Sequence, residues 1–153
     1  MRSNSCIHIE LNSDYNLVQS QWLRAVDSSE YRKYLKRTCH AIKINSVVYW
    51  LADLTRLSSP NMIDQKWTAE LVGKLISGTH LRRIALVLPD DLFLEVVIEK
   101  IGEQVVRKTK NQIQIAYFNT HESAFQWLLS VKDSEGLFRE DLSSKPDNSL
   151  NTW

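Results

Sequence analysis

With 153 residues, 43% of them hydrophobic and 24% charged, the chain is sized for one domain with one substantial core. A formal charge of +1 gives no electrostatic case for nucleic acid as a partner, and no segment approaches the roughly 18 apolar residues of a membrane span. Cys6 and Cys39 belong to no CxxC or Cys/His ligand spacing and read as reduced thiols; residues 3–11 hold no signal-like apolar run, so the expected location is cytoplasmic.

Residues 6–11 alternate, with Ile7, Ile9 and Leu11 on one face, which predicts a half-buried strand. Asn12, Ser13 and Asp14 form a turn cluster before a second strand over 17–22, and so short a turn implies an antiparallel hairpin. Asp27 with Glu30 three residues on has the pattern of a capping box. Tyr31, Tyr34, Leu35, Thr38 and Ile42 then recur at helical spacing, so a helix is predicted over 29–44. Its basic run, 31–37, keeps the tyrosines on the apolar stripe and the charges mostly off it, as a solvated face does.

Residues 47–52 are too apolar for a surface helix and predict a central strand buried on both faces. In the next helix Ile63, Trp67, Leu71 and Leu75 step by four, widened by Val72 and Ile76, which predicts a core-facing stripe with Trp67 inside. Gly78 stands where a left-handed residue ends a helix. A strand over 84–88 stops at Pro89, and Asp90 or Asp91 can cap a helix carrying Leu94, Val97, Ile98, Ile101 and Val105. A strand over 112–118, a cap at Asn119 or Thr120, and a helix with Ala124, Phe125, Trp127 and Leu128 follow. Ser, Asp, Lys and Asn then dominate, so residues 1–131 are expected to be the domain and 132–153 a polar tail.

The order β-β-α-β-α-β-α-β-α is that of a single α/β domain. Right-handed crossovers make the later strands parallel, with the opening hairpin as the antiparallel part of a mixed sheet packed by helices. That order, with an Asp closing the third strand, resembles the STAS-like domains, the bacterial anti-sigma-factor antagonists. The phrases YWLADLT, DQKW, LRRIALVLPDD and IAYFNTHESAFQWL carry the resemblance, which covers residues 6–130. In signalling members the loop after the third strand carries Asp-Ser-Ser-Gly at a helix N-terminus, and a partner kinase phosphorylates one serine. Here Asp53 matches the strand-closing Asp and Thr55 the polar residue two places on. The phosphoacceptor segment departs from the pattern: Ser58 and Ser59 come early and Pro60-Asn61-Met62 replaces the glycine stretch.

No glycine-rich cradle, metal-ligand spacing or nucleophile–base pair accompanies these residues, so no catalytic, metal or cofactor site is expected. Asp53 could hold a ligand hydroxyl, although an Asp at a strand end more often accepts turn N–H groups. Ser58 and Ser59 could take phosphate at a helix start or serve as caps. Asp90 and Asp91 point apart on entering a helix and read as caps. His8, His40, His80 and His121 fall in four elements, with His121 at the same sheet edge as Asp53.

Open α/β sheets place ligands at the carboxyl ends of parallel strands. The expected ligand- or partner-binding surface therefore comprises Asp53, Thr55, Arg56, Ser58 and Ser59, with Asp90 from the second turn and Asn119 and His121 from the third. The expected function is a non-enzymatic STAS-like regulatory or signalling module that binds a protein, a second copy of itself included. The alternative is a carrier of a small apolar or lipid-like ligand, with Tyr49, Trp50, Trp67, Phe93, Phe118 and Trp127 as its lining.

Overall fold

The computed structural model describes residues 5–130, so the expected tail over 132–153 lies outside the described residues. Strands β1 (Ile7–Asn12) and β2 (Leu17–Trp22) form the antiparallel hairpin, with Asn12 opposite Leu17. Asn12 Oδ1 accepts from Asp14 N at 3.1 Å, and Asn16 takes φ 53°, a left-handed value that Asn tolerates well. Helix α1 (Ser28–Ile44) starts with the full capping box: Asp27 accepts from Glu30 N at 2.8 Å and its own N–H reaches Glu30 Oε1 at 3.1 Å.

The chain continues through β3 (Tyr49–Asp53), α2 (Met62–Ile76), β4 (Arg83–Val87), α3 (Leu92–Lys108), β5 (Gln114–Phe118) and α4 (His121–Ser130). The five strands lie in the order β1-β2-β3-β4-β5, with every pair after the hairpin parallel. Strands β3 and β5 start later than their expected runs. Val47 is fully buried yet precedes β3, and Gln112 precedes β5 because its amide donates to the carbonyls of Thr79 and Leu81.

Strand alternation splits the core into two layers. Val18, Trp50, Ala52 and Ile84 face α1, α2 and α3, whereas Leu17, Leu51, Ala85 and Val87 face α4 alone. The stripe of α3 is buried as expected, through Leu94, Val97, Ile98, Ile101 and Val105.

Helix α2 corrects the sequence expectation. Its buried residues are Asp64, Thr68, Ala69, Val72, Gly73 and Ile76, while Ile63 is 74% exposed and Trp67, Leu71 and Leu75 are only half-buried. Two physical causes rotate the face. Asp64 and Thr68 are drawn inward by side chains of α1, and Gly73 admits α3 so closely that a Cβ there would stand 2.9 Å from Lys108 Cβ. Apolar periodicity counts neither partnered polar residues nor glycine contacts.

Candidate functional site

The strand ends are joined at the carboxyl edge by backbone bonds. Leu54 N donates to Val87 O at 2.8 Å and Leu88 N to Phe118 O at 2.9 Å. Asp53 closes β3 with its side chain on the α4 side of the sheet, the parity of Leu51. Its Oδ1 accepts from Thr55 N at 2.9 Å and from Thr55 Oγ1 at 2.7 Å, and Gln21 Nε2 lies 3.5 Å from Oδ2. That is an Asx turn, and it occupies the carboxylate.

The remaining expected residues share the edge without forming one cleft. Thr55, Arg56, Ser58, Asp90, Asn119 and His121 are exposed and Ser59 is half-buried. The loop after β3 leads into the α1–α3 layer, whereas the loop after β5 leads into α4 on the opposite face. Among the described residues no side-chain hydrogen bond or ion pair links the three loops. Asn61 rather than a serine caps α2, while Asp91 caps α3 and Thr120 Oγ1 accepts from Ser123 N, each one of the two residues expected at its helix. Ser58, Ser59, Asp90 and Asn119 therefore make none of the capping bonds open to them.

A cavity of about 80 Å³ lies inside the α1–α3 layer, away from Asp53. Trp22, Leu35, Trp50, Val72, Ile98 and Ile101 supply much of its wall. Its polar groups are already engaged. Tyr31 Oη and Thr68 Oγ1 are 2.7 Å apart, Thr68 Oγ1 donates to Asp64 O at 2.6 Å, and Trp50 Nε1 donates to Ser20 Oγ at 2.9 Å. The space therefore presents hydrocarbon. Burial pushes the Tyr31 phenol up to about 12.

Of the six aromatics expected around a ligand, only Trp50 lines this cavity. Tyr49 and Phe118 pack in the α4 layer, where Trp127 sits on α4 itself, and Phe93 is 68% exposed. The loop expected to form the pocket contributes Leu54 and Leu57 alone. Sequence reasoning missed Ser20, Tyr31, Thr38 and Thr68 as lining residues. Tyr31 and Thr38 stand seven residues apart on one helical stripe, but nothing in spacing pairs Tyr31 with Thr68.

A second concavity, about 620 Å³, runs along the outside between α2 and α3. Met62, Ile63, Trp67 and Ile101 form its apolar part, and Arg32, Lys66, Glu70 and Lys100 its charged part. The Arg32 guanidinium lies 4.8 Å from the Trp67 ring centre.

The arrangement of this sheet and its helices is similar to a crystal structure of an uncharacterized protein from the DUF3478 family of Shewanella loihica PV-4. That protein is described as having a SpoIIAA-like fold; the likeness has a TM-score of 0.54 and 17% identity, and covers 84% of this chain and 98% of the other. The chain has a SpoIIAA-like fold. No protein-family model and no curated protein matches the sequence.

Within the SpoIIAA-like fold, the loop after β3 enters a polar cleft of about 140 Å³ between the starts of α1 and α2. Ser58 is the exposed serine there, and Ser59 Oγ is buried with no hydrogen-bond partner among the described residues. Asp27 and Asp64 line the same cleft, the latter held by Arg32 and Ser28. Elsewhere, burial raises Cys39 to about 12, which keeps it a thiol. Among the described residues no three His, Cys, Asp or Glu side chains gather where a metal could sit.

Proposed function

We propose that the chain is a STAS-like regulatory module that acts by binding a protein, without catalysis, in the cytoplasm. One observation carries the reading: large apolar side chains are left in solvent at the starts of α2 and α3. Met62 is 82% exposed, Ile63 and Leu92 74%, Phe93 68% and Val96 58%. Isolated exposed apolar residues are ordinary, but several gathered at one end of two adjacent helices mark a contact surface. Both helices begin at the carboxyl edge, so Thr55, Arg56, Ser58 and Asp90 can border the contact, with Ser59, Asn119 and His121 along the same edge. The two buried free cysteines suit a reducing compartment. The test is a turnover screen of purified protein against ester, amide and phosphoester substrates. No rate is expected; a rate lost in Asp53→Ala with unchanged circular dichroism overturns the reading.

The interior cavity favours a second reading, a carrier of a small apolar ligand. Its 80 Å³ compares with about 150 Å³ for an engineered cavity that takes benzene, so a lipid chain would require the helices to part. Native mass spectrometry of freshly purified protein decides it. A co-purifying apolar mass supports the carrier, and a clean apo mass that adds no lipid counts against it.

A further inference from the structure

The α2–α3 face combines three features whose conjunction the fold itself does not require. Its apolar part spans the starts of both helices. Phe93, Val96 and Lys100 form one row along α3 at spacings of three and four, and Lys100 shares the groove wall with Met62 and Ile63 of α2. Its extent is large: five side chains, each more than half exposed, present on the order of 600 Å². That is the top of the range for a monomer's largest patch and, with a polar rim, approaches the roughly 800 Å² that each partner buries in a standard interface.

The rim decides which partner fits. Lys66 and Glu70 on α2 and Glu99, Lys100 and Glu103 on α3 are all exposed, and none forms an ion pair with another described residue. The rim thus carries both signs. A surface that meets its own copy across a two-fold axis must complement itself, which an apolar centre with a mixed rim does and a single-sign rim does not. An acidic helix or an anionic bilayer would instead be matched by a uniformly basic border.

We infer that the α2–α3 face, centred on Ile63 and Phe93, is the contact surface of a homodimer. This takes the protein-binding reading a step further, by naming the partner as a second copy of the chain. It leaves α4 and the Asp53 turn outside the interface.

Sedimentation velocity on the full chain, from about 1 μM to about 1 mM, tests the inference, because interfaces of this size hold with micromolar or tighter constants. The expected result is a dimer at the upper concentrations. Ile63→Glu and Phe93→Glu should each weaken it at least tenfold while leaving the circular dichroism and unfolding midpoint unchanged. Gln126→Glu, on exposed α4, should leave the dimer intact. A protein that stays monomeric throughout overturns the homodimer, as does a dimer that both glutamate variants leave undisturbed. Vesicles of phosphatidylglycerol added to a monomeric sample would then show whether a membrane takes this face instead. The turnover screen reads the parent proposal separately, so the two can fail independently.

Discussion

Arg32 Nε donates to Asp64 Oδ1 at 2.7 Å, tying the first turns of α1 to the first turn of α2. The carboxylate is 4% exposed, and Ser28 Oγ adds a second bond at 2.9 Å. This pair is why α2 turns a charged residue inward and leaves Ile63 in solvent. Removing the cation strands a buried carboxylate. Because Arg32 is itself 35% exposed, Arg32→Met should cost about 2 kcal/mol, below the range for a fully buried pair. Urea unfolding measures this, and Asp64→Leu added to Arg32→Met should recover most of the loss.

Gly102 and Tyr117 set the distance between α3 and β5. A methyl group at 102 would overlap the Tyr117 hydroxyl, whose ring packs against the core. Gly102→Ala should therefore destabilise by about 1–3 kcal/mol, although alanine is the better helix former by about 1 kcal/mol. Tyr117→Phe removes the overlapping atom. The double variant should be more stable than Gly102→Ala alone, and a double-mutant cycle on urea midpoints reads that coupling.

The same two contacts show what could be read from the sequence. Strand identities, the capping box at Asp27, the stripe of α3 and the hairpin were legible because each depends on residues close in the chain. Those local signals also fixed the order of elements, and crossover handedness then gave the sheet. The inward face of α2 was not legible, since it depends on Arg32 and Tyr31, more than thirty residues away, and on a glycine that periodicity treats as blank. Asp53, Ser58 and His121 share the carboxyl edge because their strands are parallel, but sequence pattern does not show to which sheet face each loop leads. The division between the two faces separates Asp53 from the cavity beneath α1–α3.

Stability should fall on the alkaline side. Burial raises Cys39 from 9.0 to about 12 and Tyr31 from 10.0 to about 12, and burial with Glu99 and Glu103 nearby raises Tyr117 likewise. Each group is held in its protonated form by the fold. The contribution is full below the unfolded values and is lost as pH rises from about 9 toward 12. Unfolding midpoints across that window should decline, and more gently in Tyr31→Phe with Cys39→Ala. On the acid side the sign reverses. The Arg24 bond holds Glu30 down at about 2, so its contribution is present above 4.5 and is lost as pH falls toward 2.

Asp53→Ala separates a turn residue from a binding residue. The substitution removes the acceptor for Thr55 N and Thr55 Oγ1, but Thr55 is exposed and water can replace both bonds. The expected cost is about 1 kcal/mol, or a lowering of the thermal midpoint by about 3–5 °C. Asp53→Asn keeps an oxygen facing Thr55 and should lose less than half of that. Because the side chain lies on the α4 side, neither substitution should alter the sedimentation of the dimer or the ligand mass in native spectra. Loss of a partner with the midpoint unchanged would instead make Asp53 a contact residue and the Asx turn incidental.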